Sequence, residues 1–410
     1  MKFISRAMVP FLCILLLLFA FSSCAGKTEE DATSAPSETE SAPEETTPAV
    51  PEGYFPAPTV EEARNTLLQY YYDMSQIKWI CKSDMDFTEG KSYTASLYYK
   101  AGETYYGLPY CSSTGYPEQF LRYLDADGVY TGPIKYETCI GNSCAPSIRV
   151  AMNAVSGSIT ASSTSHFNPW SEKGLVAVGD YVWDGIDLRD LNLVVTSKVT
   201  SQNGEQTMFE AYALCLPGDT IASRWESGSS VIGHARLVSA EPTLIRNNDG
   251  QINGARSFLT VYEQCSSFNK NSEVNTTFKI DQTYSFKDLY TAGYIPTRLA
   301  DFASGKMKDA QITCEKISNA KSAISTTAPL SGTITCDNYN ILLARVAFYD
   351  SEGNAVSFAD YTPKSKTVKL SSQSLSVLGK DLPSGEYRFV VTVKIGLGTY
   401  TYCDTPVTKK

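Results

Sequence analysis

The chain has 410 residues, a formal net charge of −9, 11 cysteines and only 2 histidines. It contains no run of lysine and arginine, so it lacks the electrostatic footprint of a nucleic-acid binder. It also contains no CxxC pair, which argues against a zinc cluster or dithiol redox motif; no metal or organic cofactor is expected.

The N-terminus reads as an export signal. "MKFISRAM" carries Lys2 and Arg6 and no acid, and the apolar "VPFLCILLLLFAF" and small "SSC" follow. That apolar run is shorter than the about 20 residues a membrane span needs. "FSSCAG" resembles a bacterial lipobox, with Phe21 where leucine is usual. Residues 1–23 are then a signal peptide, and Cys24 is the lipidated first residue of the mature chain. Residues 24–57 carry eight acids and one lysine among many Pro, Ser and Thr. Such a segment buries too little to offset its ordering entropy, and it reads as an extended, disordered acidic tether. The expected location is the bacterial cell surface, outside the cytoplasm, with a lipid anchor in the membrane. Without signal and tether the chain carries −4 over roughly 350 residues, enough for at least two domains.

The stretch 59–75 opens with Thr59, Glu61 and Glu62, and Leu67, Leu68, Tyr71 and Met74 follow at helical spacing. This predicts a capped amphipathic helix. "SYTASLYYKAGETYYGLPYCSSTGYPEQFLRYL" is rich in Tyr, Gly and Ser. It reads as a loop with short elements, in which Tyr106 and Tyr110 are cleft candidates; the alternative is a surface loop with structural tyrosines. "SCAPSIRVAMNAV" predicts a helix with Pro146 in its first turn and Ile148, Ala151, Met152 and Val155 as a buried stripe.

From about 175 to 265 the pattern turns to strands. "LVAVGDYVW", "LNLVVTSKV", "EQTMFEAYALCL", "VIGHARLVSAEPTLIR" and "SFLTVYEQC" are β-branched and aromatic runs. "QNGE" (Gln202–Glu205) and "NNDGQ" (Asn247–Gln251) read as hairpin turns. One helix followed by an antiparallel sheet makes the class α+β. A boundary falls at 305–312, and the last hundred residues read as short alternating strands, an immunoglobulin-like β-sandwich over 311–410.

Cys144 is the candidate nucleophile. A helix N-terminus favours the thiolate and offers N–H groups to an oxyanion. The thiol needs a base. His166 lies in the polar loop "SSTSHFNPW", whereas His234 lies in a strand after a glycine, which fixes the ring better. A third group should orient the imidazole, and Glu263 or Gln264 could do so. Apart from Cys13 and Cys24, nine cysteines remain. Eight could pair and leave Cys144, or all could stay reduced.

Four pieces in order resemble the NlpC/P60 superfamily of cell-wall cysteine peptidases, in the papain-like group that includes CHAP amidases. "YYGLPYCSSTGY" (105–116) resembles the substrate-side loop and "GNSCAPSIRVA" the nucleophile helix. "LCLPGDTI" (214–221) resembles the turn before the histidine strand, and "GHARLVSAEP" that strand itself. "YSFKDLYTAGYIP" (284–296) is similar to a closing segment of related bacterial proteins. The flank departs from the family's usual Asp-Cys-Ser-Gly, and the third polar residue stands about thirty residues after the histidine, as in CHAP proteins. The resemblance implies a papain-like hydrolase domain over 58–308 that cleaves amide bonds in peptidoglycan stem peptides. Cys144 would then be nucleophile, His234 general base, Glu263 or Gln264 its partner, and Tyr106 and Tyr110 would bind substrate. The competing class is a non-catalytic wall-binding or adhesion lipoprotein on the same scaffold.

Overall fold

Thr59 starts the first helix through its own side chain. In the computed structural model, which describes residues 51–88, 96–325, 330–372 and 378–410, that helix spans Val60–Gln76. Thr59 Oγ1 accepts from the Glu62 N–H at 3.1 Å, and the Glu62 carboxylate accepts from the Thr59 N–H at 2.7 Å. The reciprocal bonds satisfy two donors at the helix mouth. Ala63, Leu67, Tyr71 and Met74 are buried, and the helix packs against the helix Cys144–Val155.

That second helix is more central than a single buried stripe predicts. Every residue in it except Arg149 is buried. A helix enclosed on all sides must satisfy its polar groups internally. Ser147 Oγ donates to the Cys144 carbonyl at 2.8 Å, and Asn153 Nδ2 donates to the Tyr116 hydroxyl at 2.9 Å.

The helix lies against a six-stranded sheet in the order Phe278–Ser285, Phe258–Gln264, Ser230–Val238, Thr220–Ser227, Ile295–Leu299, Leu175–Ala177. All neighbours in it are antiparallel. Ala222, Ala235 and Leu237 face the core that holds the helix Cys144–Val155. Ile221, Val238, Leu259 and Val261 face a second core with Met208, Phe209 and Tyr212 of the helix Ser197–Ala213. The fold is thus mixed α+β and rich in antiparallel sheet.

Two expected strands are helical instead. "EQTMFEAYALCL" belongs largely to the helix Ser197–Ala213, and "LNLVVTSKV" contains only a single 3-10 turn, Leu191–Leu193, before that helix begins. Burial of Val199, Met208, Phe209 and Tyr212 on one side overrides local β propensity. "QNGE" is no hairpin; Gly204, at φ 77°, breaks this helix. "NNDGQ" does turn, with the Asn247 N–H donating to the Gln251 carbonyl at 2.8 Å. The strand Thr220–Ser227, unanticipated over most of its length, is the hairpin mate of the histidine strand.

Most tyrosines between 98 and 130 are structural, and they are deeply buried rather than superficial. Tyr99, Tyr105 and Tyr130 pack around Trp79 with ring centroids 5.7, 5.1 and 5.7 Å away.

The C-terminal residues form two four-stranded sheets around a core of their own, containing Ile312, Ile334, Val346, Phe348 and Val391, with a short helix at Ala320–Ala323. One sheet includes Tyr54–Phe55, paired with Ala310 and Gln311. The expected disordered segment 24–57 is therefore ordered at its end, because an edge strand takes up its backbone hydrogen bonds. The remainder of that segment up to residue 50, with Cys24 and the signal, lies outside the described residues. Among the described residues no helix is long and apolar enough to cross a membrane. The second C-terminal sheet abuts the end of the Cys144 helix. Lys394 pairs with Glu118 at 2.9 Å, and a Cβ on Gly396 would fall 1.4 Å from the Ala154 carbonyl oxygen.

The Pro-Gly-Asp turn before the strand Thr220–Ser227 is held by charge. Gly218 takes φ 89°, and Asp219, fully buried, accepts from the Leu216 N–H at 2.9 Å. Its carboxylate also meets Arg64 at 3.0 Å and Arg298 at 2.7 Å, joining the first helix to the strand Ile295–Leu299. Removing one partner of a buried charge cluster leaves the others unanswered. Asp219→Ala is expected to cost about 3–5 kcal/mol in chemical denaturation; a loss under about 1 kcal/mol, the range of exposed pairs, would show that the cluster is not a clamp.

Candidate active site

Two sequence motifs meet at Cys144. Asn142 is fully buried and clasps the loop Pro109–Gly115. Its N–H donates to the Pro109 carbonyl at 3.0 Å, its carbonyl accepts from Cys111 at 3.0 Å, and its side chain exchanges bonds with Gly115 at 2.8 and 3.1 Å. A Cβ on Gly141 would fall 2.1 Å from the Pro109 carbonyl oxygen, so only glycine permits this approach. Ser143 is extended, at φ −105° and ψ −177°, and its side chain makes no cap bond. First-turn N–H groups, including those the helix itself cannot use, are therefore not taken up by Ser143.

Cys144 opens the helix and lines a cleft of about 420 Å³ with Tyr110, Tyr136, Ser163, Trp225 and His234. Its Sγ lies 3.9 Å from the Gly233 carbonyl oxygen, and His234 lines the same cleft. Burial alone would raise the thiol. The His234 hydrogen bond and charge outweigh it, helped by the N–H groups of Ala235 and Ala145, and hold the thiol below its ordinary value.

His234 sits on the strand Ser230–Val238, and its Nε2 is 2.6 Å from Glu263 Oε2. Nδ1 is then the nitrogen left to serve Cys144. Burial pulls the imidazolium down, but Tyr294, Cys144, Cys265 and Glu263 together hold it well above the usual histidine value. Both shifts favour a thiolate–imidazolium pair over neutral thiol and imidazole.

Glu263 is 1% exposed and accepts four contacts. Oε2 takes His234 at 2.6 Å and Arg236 at 2.8 Å; Oε1 takes the Tyr284 hydroxyl at 2.6 Å and Lys279 at 3.2 Å. Burial would raise this carboxyl, but His234, Arg236 and Tyr284 hold it far below the usual range. Arg236 is itself stacked between Tyr284 and Tyr294, 3.6 and 4.3 Å from their ring centroids. His234, Glu263 and Cys265 each place a ligand atom within 4.8 Å of the others. All four acceptor positions of Glu263 are filled, with two cations beside them, so the cluster suits an anchored carboxylate better than a divalent ion.

Of the sequence candidates, the structure brings Cys144, His234 and Glu263 together. Gln264 points the other way, as successive strand residues must. Its Nε2 donates to the Leu108 carbonyl at 2.9 Å and to Thr277 at 3.2 Å, which fastens the strand to the loop before Tyr110. Tyr110 reaches the cleft wall. Tyr106 does not; it sits in the strand Thr104–Tyr106, paired with Lys78. His166 is not brought to Cys144, and its Nδ1 accepts from the Ser162 N–H at 3.3 Å. Sequence reasoning missed Arg236, although it lies two residues after His234 on the same strand and hence on the same face. Lys279 and Tyr284 had no such signal, because strand pairing places them. The nine cysteines from Cys81 to Cys403 are all free thiols. No protein-family model matches the chain, and no curated protein matches it significantly.

The shifts set a pH window. The thiol is lowered and the imidazolium raised, so the ion pair is favoured and its thiolate is lost as pH falls through the lowered thiol value. Iodoacetamide should label Cys144 at neutral pH faster than N-acetylcysteine, because the lowered thiol holds more thiolate there. Cys215, whose thiol burial pushes up, should remain unlabelled. A pH–rate profile for Cys144 that coincides with that of N-acetylcysteine would rule out the ion pair.

Proposed function

We propose that this chain is a surface-anchored lipoprotein cysteine hydrolase that cleaves amide bonds in peptidoglycan stem peptides. The observation that carries the reading is the chain of contacts from Cys144, at the mouth of a buried helix, through His234 to Glu263. The order of parts supports it: a nucleophile helix, then a histidine strand, then an acid on the neighbouring strand of an antiparallel sheet. In this reading the region 58–308 is a papain-like domain of NlpC/P60 type. The C-terminal sheets are an immunoglobulin-like sandwich that positions the enzyme or binds wall polymer, and Cys24 carries the lipid.

The chemistry follows from the site. The Cys144 thiolate attacks the scissile carbonyl carbon, and the carbonyl electrons pass to the oxygen. N–H groups of the first helical turn, beginning with Cys144, stabilise that oxyanion. The tetrahedral species collapses as His234 gives its proton to the leaving amine, and an acyl thioester remains on Cys144. Water then attacks the thioester with His234 taking its proton, and the tetrahedral species expels the Cys144 thiolate, which releases the carboxylic acid and restores the thiolate with the proton on His234. Glu263 keeps the ring oriented through Nε2. Arg236 and Lys279 share the charge of that carboxylate, so the proton on His234 is not held by a lone buried anion.

A muropeptide digest with the purified mature chain, read by mass spectrometry, tests this. The wild type should release stem-peptide fragments, and Cys144→Ser should release none, because a serine hydroxyl is far harder to ionise here. His234→Ala should lose at least about a hundredfold in rate, the lower range for a general base, and His166→Ala should match the parent. Equal cleavage by the wild type and Cys144→Ser would refute the mechanism. Binding of muropeptides without turnover would favour a non-catalytic wall-binding protein.

A further inference from the structure

The walls of the Cys144 cleft are aromatic and hydroxyl-bearing rather than charged. Trp225 stands opposite Ile232 across the hairpin, as Ser223 stands opposite His234. Alternation along the strands therefore puts Trp225 and Ile232 on the face of the imidazole, and both line the cleft. Trp225 is 41% exposed and Ile232 is half-buried. Apolar surface left open beside a reactive thiol is surface that a bound chain can cover.

Among the described residues that line the cleft there is no Lys, Arg, Asp or Glu. The cations beside His234, Arg236 and Lys279, are turned to Glu263 at 2.8 and 3.2 Å. His234 itself is bonded to Glu263 through Nε2. The first-turn N–H groups of the Cys144 helix are the donors that the proposed reaction uses for its oxyanion. The rest of the polar wall is hydroxyl, and two of its exposed members, Ser112 and Ser162, have spent their hydrogens inside the protein. Ser112 Oγ donates to the Tyr136 carbonyl at 3.3 Å. Ser162 Oγ lies 3.1 Å from His166 Nδ1, the nitrogen that also accepts from the Ser162 N–H, so the hydroxyl donates to it as well. Both oxygens keep lone pairs and have no hydrogen left to give.

A carboxylate has only acceptor atoms. The remaining hydroxyls can give it a hydrogen but no charge to offset its desolvation. A carboxamide brings two N–H donors to oxygens such as those of Ser112 and Ser162, and it carries no charge to answer. We infer that the cleft selects stem peptides whose acidic side groups near the scissile bond are amidated, with the uncharged chain packed on Trp225 and Ile232. This selectivity rests on the hydrolase reading above and names the form of substrate that the site takes.

Two synthetic tetrapeptides of stem-peptide sequence with blocked ends test this. They are identical except that the α-carboxyl of the γ-linked D-glutamyl residue is free in one and a carboxamide in the other. Titration calorimetry is run on the full mature chain carrying Cys144→Ser, so that neither peptide is consumed. The carboxamide form should bind at least about tenfold more tightly, the lower range for leaving a charged group without partners. Ser162→Lys in the same background sets a cation on the exposed rim. It should narrow that ratio about two- to fivefold, the worth of an exposed ion pair. Trp225→Ala should weaken both forms alike by about tenfold or more, as the loss of a large apolar contact requires. Equal binding of the two peptides, tighter binding of the carboxylate form, binding of neither, or a ratio that Ser162→Lys leaves unchanged overturns the inference. Unchanged binding by Trp225→Ala does the same for the packing of the chain. Turnover by the wild type is read separately. Cleavage of both peptides together with equal binding removes the selectivity and leaves the hydrolase standing. Selective binding without cleavage of either peptide removes the hydrolase and leaves the selectivity.

Discussion

A carboxylate with almost no exposed surface has to be answered by other groups, and the arrangement around Glu263 depends on how it is answered. Its two oxygens meet His234, Arg236, Lys279 and Tyr284. These come from the strands on either side of its own, so the acid ties three neighbouring strands of the sheet at one level. Two cations against one anion leave His234 oriented by Glu263 without that acid being its sole counter-charge. A buried carboxylate facing a histidine alone would hold the proton much more firmly. Arg236 is stiffened in turn by the rings of Tyr284 and Tyr294. The orientation of the imidazole is therefore a property of the sheet rather than of one contact.

The thiol side is built by different means. The helix Cys144–Val155 is buried nearly all round, and the second C-terminal sheet presses on its far end at Ala154. At its near end Asn142 is bonded to the loop that carries Tyr110. With both ends fixed, Cys144 has little freedom to move relative to the histidine strand. Gly141 and Gly396 are needed where they stand because a Cβ at either would overlap a carbonyl oxygen. Asp219 does comparable work on the other side, holding the hairpin of His234 to the first helix through Arg64.

The contribution of the C-terminal sheets is thus partly structural. They take in Tyr54–Phe55, the residues that lead out of the acidic N-terminal segment, and they close over the end of the Cys144 helix. A chain anchored through that segment would carry its attachment on the C-terminal sheets rather than on the region with the cleft.

Local chemistry was legible wherever it depends on neighbours along the chain. The capping box at Thr59, the turn at Asn247–Gln251, the helix opening at Cys144 and the strand carrying His234 all follow from spacing within a few residues. Alternation along a strand also meant that only one of Glu263 and Gln264 could face the imidazole. Which one did could not be read, because it depends on how the strand registers with its partners. The region 197–213 was misread because its β-branched and aromatic residues satisfy either pattern until the second core selects the helix. The tyrosines around Trp79 gave no sign of their depth, since burial is a property of what packs over them. The sequence alone therefore determined the candidate nucleophile, its base and the elements that present them, for these rest on local hydrogen bonds and periodicity. Tertiary structure alone decided the choice of Glu263 and its cations Arg236 and Lys279. Those depend on strand pairing between residues far apart in the chain, and no short-range pattern encodes it.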